Sequence, residues 1–366
     1  MKLLMISGDR NLIYGQKGPF YYFLKEFSRY WERIDIICPK AATEDQELEF
    51  FNNVYLHGTI NSSKSIFKQA KKIYQNSAFQ IVVSHDYPPF RHSQAAQKIQ
   101  RVCQVPYFLE VHHIVGYPKA ADFKEWLLKI YFQLFFKKAA RFAKAIRVVN
   151  QMQVPSFLEK LNIPKEKIIY LPSYYIDRDI YFPQNLNKKY DLLFVGRLVK
   201  NKGIDLLIKV LLKLKKDLPN FKMAIIGEGH LKKDLEFKIN QSIIKENVEL
   251  LGWLPDNEAL ATAYNQAKIL LVTSYNEGGP RVGLEAMACG TPVISTKVGV
   301  NVDLIKNGEN GYLVNWSAND FVNKIKIILN DQKISQKISQ QGIKVVQNFD
   351  YHQMIENYTQ ALQKLV

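Results

Sequence analysis

Cysteine is scarce. Cys38, Cys103 and Cys289 are the three in 366 residues, far apart and without a CxxC pair or an adjoining histidine. That excludes a disulfide framework and a cysteine–histidine zinc site, and a reducing, cytoplasmic setting is expected. Long hydrophobic runs are missing too. The opening KLLMIS gives way to Gly8 and Asp9, short of the ~7–15 apolar residues of an export signal, so none is expected. The most apolar later stretch, 126–136, is broken by Lys129 and Gln133 and falls short of the ~20 residues a spanning helix needs. Repeats and low-complexity tracts are absent, which sets solenoids and propellers aside. Acidic charge is in short supply: 34 acids against 50 bases leave +16. An excess of that size points to an anionic partner, whether a phosphate-bearing ligand, nucleic acid or anionic lipid.

What is present is an average globular composition, 47% hydrophobic and 23% charged, in a chain too long for one core of at most ~250 residues. Short apolar runs of strand length recur: KLLMIS, IDIIC, QIVVS, YFLEV and AIRVV, then YDLLFVG, FKMAIIG, KILLVTS and TPVIS. Helical stretches such as 19–30, 62–76 and 203–218 separate them, and this alternation reads as βαβ units. It lapses once, over 172–187, where proline and asparagine interrupt it. Two doubly wound, Rossmann-like α/β domains are therefore expected, 1–182 and 183–349.

In open α/β sheets ligands bind beyond the carboxyl ends of the strands. After YDLLFVG come Arg197 and Lys202, two cations at the opening of a helix. Free N–H groups, the helix dipole and two side-chain cations suit a diphosphate; the alternative is a solvated basic loop. After KILLVTS, Glu277 and Glu285 stand eight positions apart around Gly278, Gly279 and Pro280. The glycines let a ligand approach the backbone, and carboxylates in a cleft accept hydrogen bonds from sugar hydroxyls. Glu285 could instead merely pair with a lysine.

Taken together, FVGRLVKNKGIDLLI, IIGEGHLKKDL, the run LLGWLPDNEALATAYNQAKILLVTSYNEGGPRVGLEAMACGTPVIST, and GENGYLV resemble the retaining, GT-B glycosyltransferases of the group-1 (GT4) family over 194–314. The resemblance implies two Rossmann-like domains facing a central cleft, with the acceptor bound by the first and a nucleotide-sugar donor, UDP-, GDP- or ADP-linked, by the second. It implies that Arg197 and Lys202 bind the diphosphate, that Glu285 holds the ribose hydroxyls and that Glu277 lies at the transferred sugar. Backbone amides near Gly278, Gly279 and Arg281 would bind sugar or phosphate. The family's commoner EGFGLP is EGGPRV here, which leaves the shape of the sugar pocket open. Charge developing on the departing diphosphate would be met by fixed cations and N–H groups, so no metal or cofactor is expected. Asp177-Arg-Asp179 has a metal-motif spacing but sits in the interrupted segment. The resemblance favours front-face attack with retention over a covalent intermediate on Glu277.

The first half resembles the family more weakly. Its active-site histidine matches His112, which follows PYFLEV, with His113 the competing choice; His85, with Asp86, is a second strand-end histidine. Gly15, Lys17 and Gly18 resemble the glycine-rich loop near the diphosphate. FDY at 349–351 resembles the closing segment that returns to the first domain, so 350–366 is expected there. The stretch 123–144 puts Phe123, Trp126, Leu127, Ile130 and Leu134 on one helical face, Phe132 and Phe136 on another, and Lys137, Lys138, Arg141 and Lys144 at its end. It reads either as an interfacial helix on an anionic membrane, where a lipid-linked acceptor is found, or, the stronger reading, as buried core. The expected activity is sugar transfer to a glycan or lipid-linked acceptor in surface polysaccharide, lipopolysaccharide or glycolipid synthesis, without nucleic acid as partner. A sugar-nucleotide epimerase or hydrolase, and a basic membrane- or nucleic-acid-binding protein, are the alternatives.

Overall fold

The apolar runs become the inner strands of two sheets in the computed structural model, which describes residues 1–10, 12–40 and 47–366. One sheet holds β1 (Lys2–Ile6), β2 (Arg33–Pro39), β3 (Glu47–Phe50), β4 (Val54–Thr59), β5 (Ile81–His85), β6 (Tyr107–Val111), β7 (Ala145–Val148) and β8 (Ile168–Tyr170). Its order is β3-β4-β2-β1-β5-β6-β7-β8, parallel except where β3 runs antiparallel to β4. The other holds β9 (Tyr190–Val195), β10 (Met223–Ile226), β11 (Val248–Gly252), β12 (Ala267–Val272), β13 (Val293–Thr296) and β14 (Tyr312–Val314). All its pairings are parallel, in the order β11-β10-β9-β12-β13-β14. Both are the doubly wound sheets that the alternation predicts.

By compactness the chain divides into one unit of Met1–Ile114, Leu127–Ser173 and His352–Val366, and a second of Val115–Trp126 and Tyr174–Tyr351. The sequence reading puts the change at 182/183 and has no counterpart for Val115–Trp126. That short segment groups with the second unit through hydrogen bonds: Lys119 N donates to the Tyr275 carbonyl, and the Asn276 side-chain amide donates to the Lys119 carbonyl at 2.9 Å and to Glu125 at 2.8 Å.

Burial on both faces explains the strands' composition. In β9, Leu192 and Phe194 join one core cluster and Leu193 the other. Helix Ile204–Asp217 carries Leu207, Val210, Leu211 and Leu214 at helical spacing, all fully buried in the first of these clusters. Each such leucine contributes ~1.5–3 kcal/mol by leaving water.

The helix Phe123–Ala140 corrects the reading of 123–144 as core. Phe132 and Phe136 are buried, but Phe123, Trp126, Leu127, Leu134 and Phe135 are exposed. The helix is half core, half apolar surface. Among the described residues no helix is long and apolar enough to cross a membrane.

One glycine matters for the cations of the second unit. Gly203 caps helix Ile204–Asp217 at φ +69°, and a Cβ there would collide with the Thr273 carbonyl at the end of β12. Thr273 Oγ1 also donates to the Lys202 carbonyl at 2.8 Å. Gly203→Ala is therefore expected to lower stability by about 2 kcal/mol from the collision and the left-handed backbone. Urea unfolding checks this, and an unchanged midpoint would refute the close approach.

Candidate active site

In the second sheet the strand order reverses between β9 and β12, the switch point where open sheets take ligands. Two of the anticipated residues meet there. Lys202, at the end of the turn after β9, puts Nζ 2.5 Å from Glu277 Oε1, which lies in the loop after β12. Both side chains are mostly buried, at 14% and 15% exposure. Ser274 Oγ donates to the same oxygen at 3.0 Å. The turn and the loop are laced together: Tyr275 N donates to the Asn201 carbonyl at 2.7 Å, and Asn201 Nδ2 to the Asn276 carbonyl at 3.2 Å. Arg197 is exposed at the carboxyl end of β9. Gly196, beside it, has Lys202 carbons 3.7 Å from where its Cβ would stand, so the lysine stem runs over a position without a side chain.

Glu285 lies in helix Arg281–Ala288 and is buried. Tyr264 Oη donates to its Oε2 at 2.9 Å, and the Arg281 guanidinium stands 3.5 Å from Oε1. Burial pushes the Glu285 carboxyl up, and Arg281 and Tyr264 only partly offset this. Tyr264 is pushed well up by burial and by the Glu285 charge beside it. The Arg281 guanidinium also lies over the Tyr175 ring, 4.6 Å from its centroid. Gly278 accepts from Val300 N at 3.0 Å. A Cβ on Gly279 would press on the Tyr174 ring at 2.9 Å. The loop between the two glutamates is thus packed against its own unit where it has no side chains.

The first sheet reverses between β1 and β5. After β1, Gly15 takes φ +75° with open space around a would-be Cβ, exposed Lys17 lies 5.5 Å from the Tyr21 ring centroid, and Gly18 precedes helix Pro19–Phe27. At the ends of β5 and β6 a second cluster forms. The His85 and His112 rings pack against each other, tilted by 32° with centroids 4.1 Å apart, and His112 Nε2 is 3.5 Å from Glu110 Oε2. His112, rather than His113, is the member of that pair in this cluster. Asp86, next to His85, turns away to accept from Ser93 N at 2.7 Å. Burial, then the neighbouring His112, lowers His85 to about 3, so its ring is neutral. Burial alone would raise Glu110, but Arg147 first, then His112 and His85, outweigh it and hold the carboxyl well below its ordinary value.

His85, Glu110 and His112 each offer a ligand atom, all within 4.8 Å of one another. Their fit to a metal ion is poor, because Arg147 Nη1 is already 2.6 Å from Glu110 Oε1 and its charge repels a cation at that carboxylate.

The residues that support these groups left no mark in the sequence reading. Tyr264, Arg147 and Tyr358 come from elements distant in sequence, and only the fold brings them to their partners; Ser274 stands three residues before Glu277.

Comparison with known proteins shows what part of the chain is similar to. Residues 177–345 match the family described as glycosyl transferases group 1, and it is this part of the chain that resembles that family. The chain is 32% identical over 177 residues to an uncharacterized glycosyltransferase of Methanocaldococcus jannaschii, covering 47% of this chain and 48% of that one. It is 29% identical over 203 residues, 55% of each chain, to the GalNAc-alpha-(1->4)-GalNAc-alpha-(1->3)-diNAcBac-PP-undecaprenol alpha-1,4-N-acetyl-D-galactosaminyltransferase of Campylobacter jejuni. The chain thus spans about half the length of these curated relatives. In fold it matches sucrose-phosphate synthase from Thermosynechococcus elongatus, with a TM-score of 0.76 at 18% identity, covering 100% of this chain and 98% of the other. It also matches Anabaena HepE, solved with UDP-glucose, with a TM-score of 0.75 at 17% identity and 100% of both chains covered. The fold is GT-B.

Proposed function

We propose that the protein is a retaining glycosyltransferase that moves a sugar from a nucleotide-diphosphate donor to a glycan or lipid-linked acceptor, in the assembly of a surface polysaccharide or glycolipid. The observation that carries this reading is the Lys202–Glu277 pair at the β9/β12 reversal, with buried Glu285 following on the next helix. Lys202 and Arg197 are cations for a diphosphate, Glu285 an acceptor for ribose hydroxyls, and Glu277 an acceptor for hydroxyls of the transferred sugar. As the glycosidic bond breaks, negative charge gathers on the leaving phosphate, and cations fixed beforehand stabilise it without reorganising. In this reading Gly278, Gly279 and Arg281 offer backbone N–H groups to sugar or phosphate, and Gly15, Lys17, Gly18 and His112 are the first unit's own candidates for substrate contact. Metal is not required for that chemistry.

The test is a thermal-shift screen against UDP, GDP, ADP and their common sugar conjugates, with and without EDTA. At a ligand concentration of 100 Kd a bound ligand adds ~2.7 kcal/mol of stability. The expected result is a rise with one nucleotide class that EDTA leaves intact. No rise with any would overturn the reading, and release of nucleotide and free sugar without acceptor would replace it with a hydrolase.

An acceptor at a membrane surface is part of this proposal, and one helix supports it. Helix Phe123–Ala140 exposes Phe123, Trp126, Leu127, Leu134 and Phe135 beside exposed Lys124, Lys137 and Lys138. Apolar side chains flanked by lysine suit the interface of an anionic bilayer, which attracts each lysine by ~1 kcal/mol. The protein is expected to float with phosphatidylglycerol vesicles and not with phosphatidylcholine vesicles. A Leu134→Ser/Phe135→Ser variant should stay behind; equal flotation of variant and wild type would remove this helix as the contact.

A further inference from the structure

The groups around Glu110 form a hub that the donor chemistry does not use. Glu110 is 4% exposed, and Arg147 is 3% exposed. Arg147 Nη1 donates to Glu110 Oε1 at 2.6 Å, Nε to the Leu171 carbonyl at 3.0 Å, and Nη2 to the Pro172 carbonyl at 2.8 Å. Its guanidinium lies 4.0 Å from the ring centroid of Tyr358, a residue of helix Tyr351–Gln363. Tyr358 Oη donates to the same Glu110 Oε1 at 2.8 Å. Oε1 is therefore claimed twice, from β7 and from the C-terminal helix, while Oε2 faces His112 Nε2 at 3.5 Å. That nitrogen is buried and has no hydrogen-bond partner in this structure.

A buried ion pair of this kind is a poor stabiliser, since well-packed apolar residues of the same volume do as well or better. Its geometry serves something else. An ionised carboxylate only accepts, so the nitrogen facing Oε2 must be the one that carries hydrogen. Which ring nitrogen holds the proton is set by the hydrogen bond the ring makes. The His85 ring, 4.1 Å away between centroids, limits rotation of the His112 ring.

We propose that Glu110, clamped by Arg147 and Tyr358, is a positioning residue that holds His112 with Nε2–H toward Oε2 and so presents Nδ1 as the acceptor for a substrate hydroxyl. The C-terminal helix is by this means part of the support of the site. The 3.5 Å separation shortens to a hydrogen bond when substrate seats the ring, as hydrogen bonds in ligand-free sites do. The role of Nδ1 rests on the transferase reading; the orientation of the ring does not.

The experiment uses the full chain labelled with [15N]histidine. The expected spectrum contains a downfield, exchange-protected imidazole N–H resonance correlated to Nε2, identified as His112 by its loss in His112→Gln. Glu110→Gln should abolish the resonance and Tyr358→Phe should shift it. Should Glu110→Gln fail to fold, Tyr358→Phe, which removes one hydroxyl, carries the test. Turnover of the nucleotide sugar that raises the melting temperature should fall roughly 10- to 100-fold in Glu110→Gln, with affinity for the nucleotide itself unchanged. A wild-type His112 protonated at Nδ1, or a resonance indifferent to both variants, overturns the proposal. The expected resonance pattern together with no turnover of any nucleotide sugar leaves the ring orientation standing and removes the transferase reading instead.

Discussion

Lys202→Ala is expected to weaken binding of nucleoside diphosphates roughly 10- to 100-fold, the ~1.5–3 kcal/mol of a hydrogen bond to a charged group, and to slow sugar transfer by about 100- to 1,000-fold. The larger kinetic effect follows from where the charge appears. The leaving phosphate is more negative in the transition state than in the bound donor, so a fixed cation contributes more there. Lys202 is fixed on three sides: Gly203 packs on Thr273, Thr273 holds the Lys202 carbonyl at 2.8 Å, and Nζ meets Glu277. The check is calorimetric, comparing UDP with uridine, GDP with guanosine and ADP with adenosine. The loss should be confined to the diphosphates, and equal losses for diphosphate and nucleoside would show that the lysine only supports the loop. Glu277→Gln gives the complementary result. With its carboxylate partner gone, Lys202 binds free diphosphate more tightly, while the sugar-linked donor gains nothing, because the acceptor for sugar hydroxyls has been weakened.

How much of this was open to reading from sequence depended on where each element sits. Strands β1, β2, β5, β6, β7, β9, β10, β12 and β13 were legible because burial on both faces makes them continuous apolar runs. The strands that escaped, β3, β4, β8, β11 and β14, lie at or next to sheet edges. Glu47-Leu-Glu-Phe and Val-Glu-Leu-Leu-Gly are short and carry charge, as edges do. The same logic governs the site. Lys202 and Glu277 stand beside glycines in short connections and Glu285 in the short helix that follows, where residue type and spacing carry information. Tyr264 and Glu285 are separated by 21 positions, and Tyr358 and Glu110 by 248. A tyrosine in an amphipathic helix looks like any core residue until the fold supplies its partner. The helix 123–144 was misread because its central turns are apolar nearly all round; composition could not reveal that one of its faces stays exposed among the described residues.

Glu285→Gln separates binding from stability. Two ribose hydroxyls donated to a carboxylate have an acceptor oxygen each, whereas an amide offers one oxygen and turns its nitrogen into a donor. The expected loss is about 3 kcal/mol, roughly 100-fold in affinity for every nucleotide irrespective of base. The fold responds differently. Burial raises the Glu285 carboxyl above its ordinary 4.5, so the folded chain holds that proton more tightly than the unfolded one. Protons bound by the folded state exceed those of the unfolded state from about pH 4.5 up to the raised folded value, and stability from this group falls as pH rises through that window. Glutamine has no such titration. It removes the cost of a buried anion and leaves the Arg281 guanidinium, 3.5 Å away, without its counter-charge, so the two changes oppose each other at neutral pH. The ligand-free variant should therefore melt close to the wild type at pH 7, and the wild type should gain on it as pH is lowered toward 4.5. Melting curves at several pH values, paired with nucleotide titrations at pH 7, separate the effects. Unchanged nucleotide affinity would end the ribose assignment. A difference in melting temperature that does not change with pH would mean that Glu285 titrates alike in the folded and unfolded chain, contrary to its burial beside Tyr264.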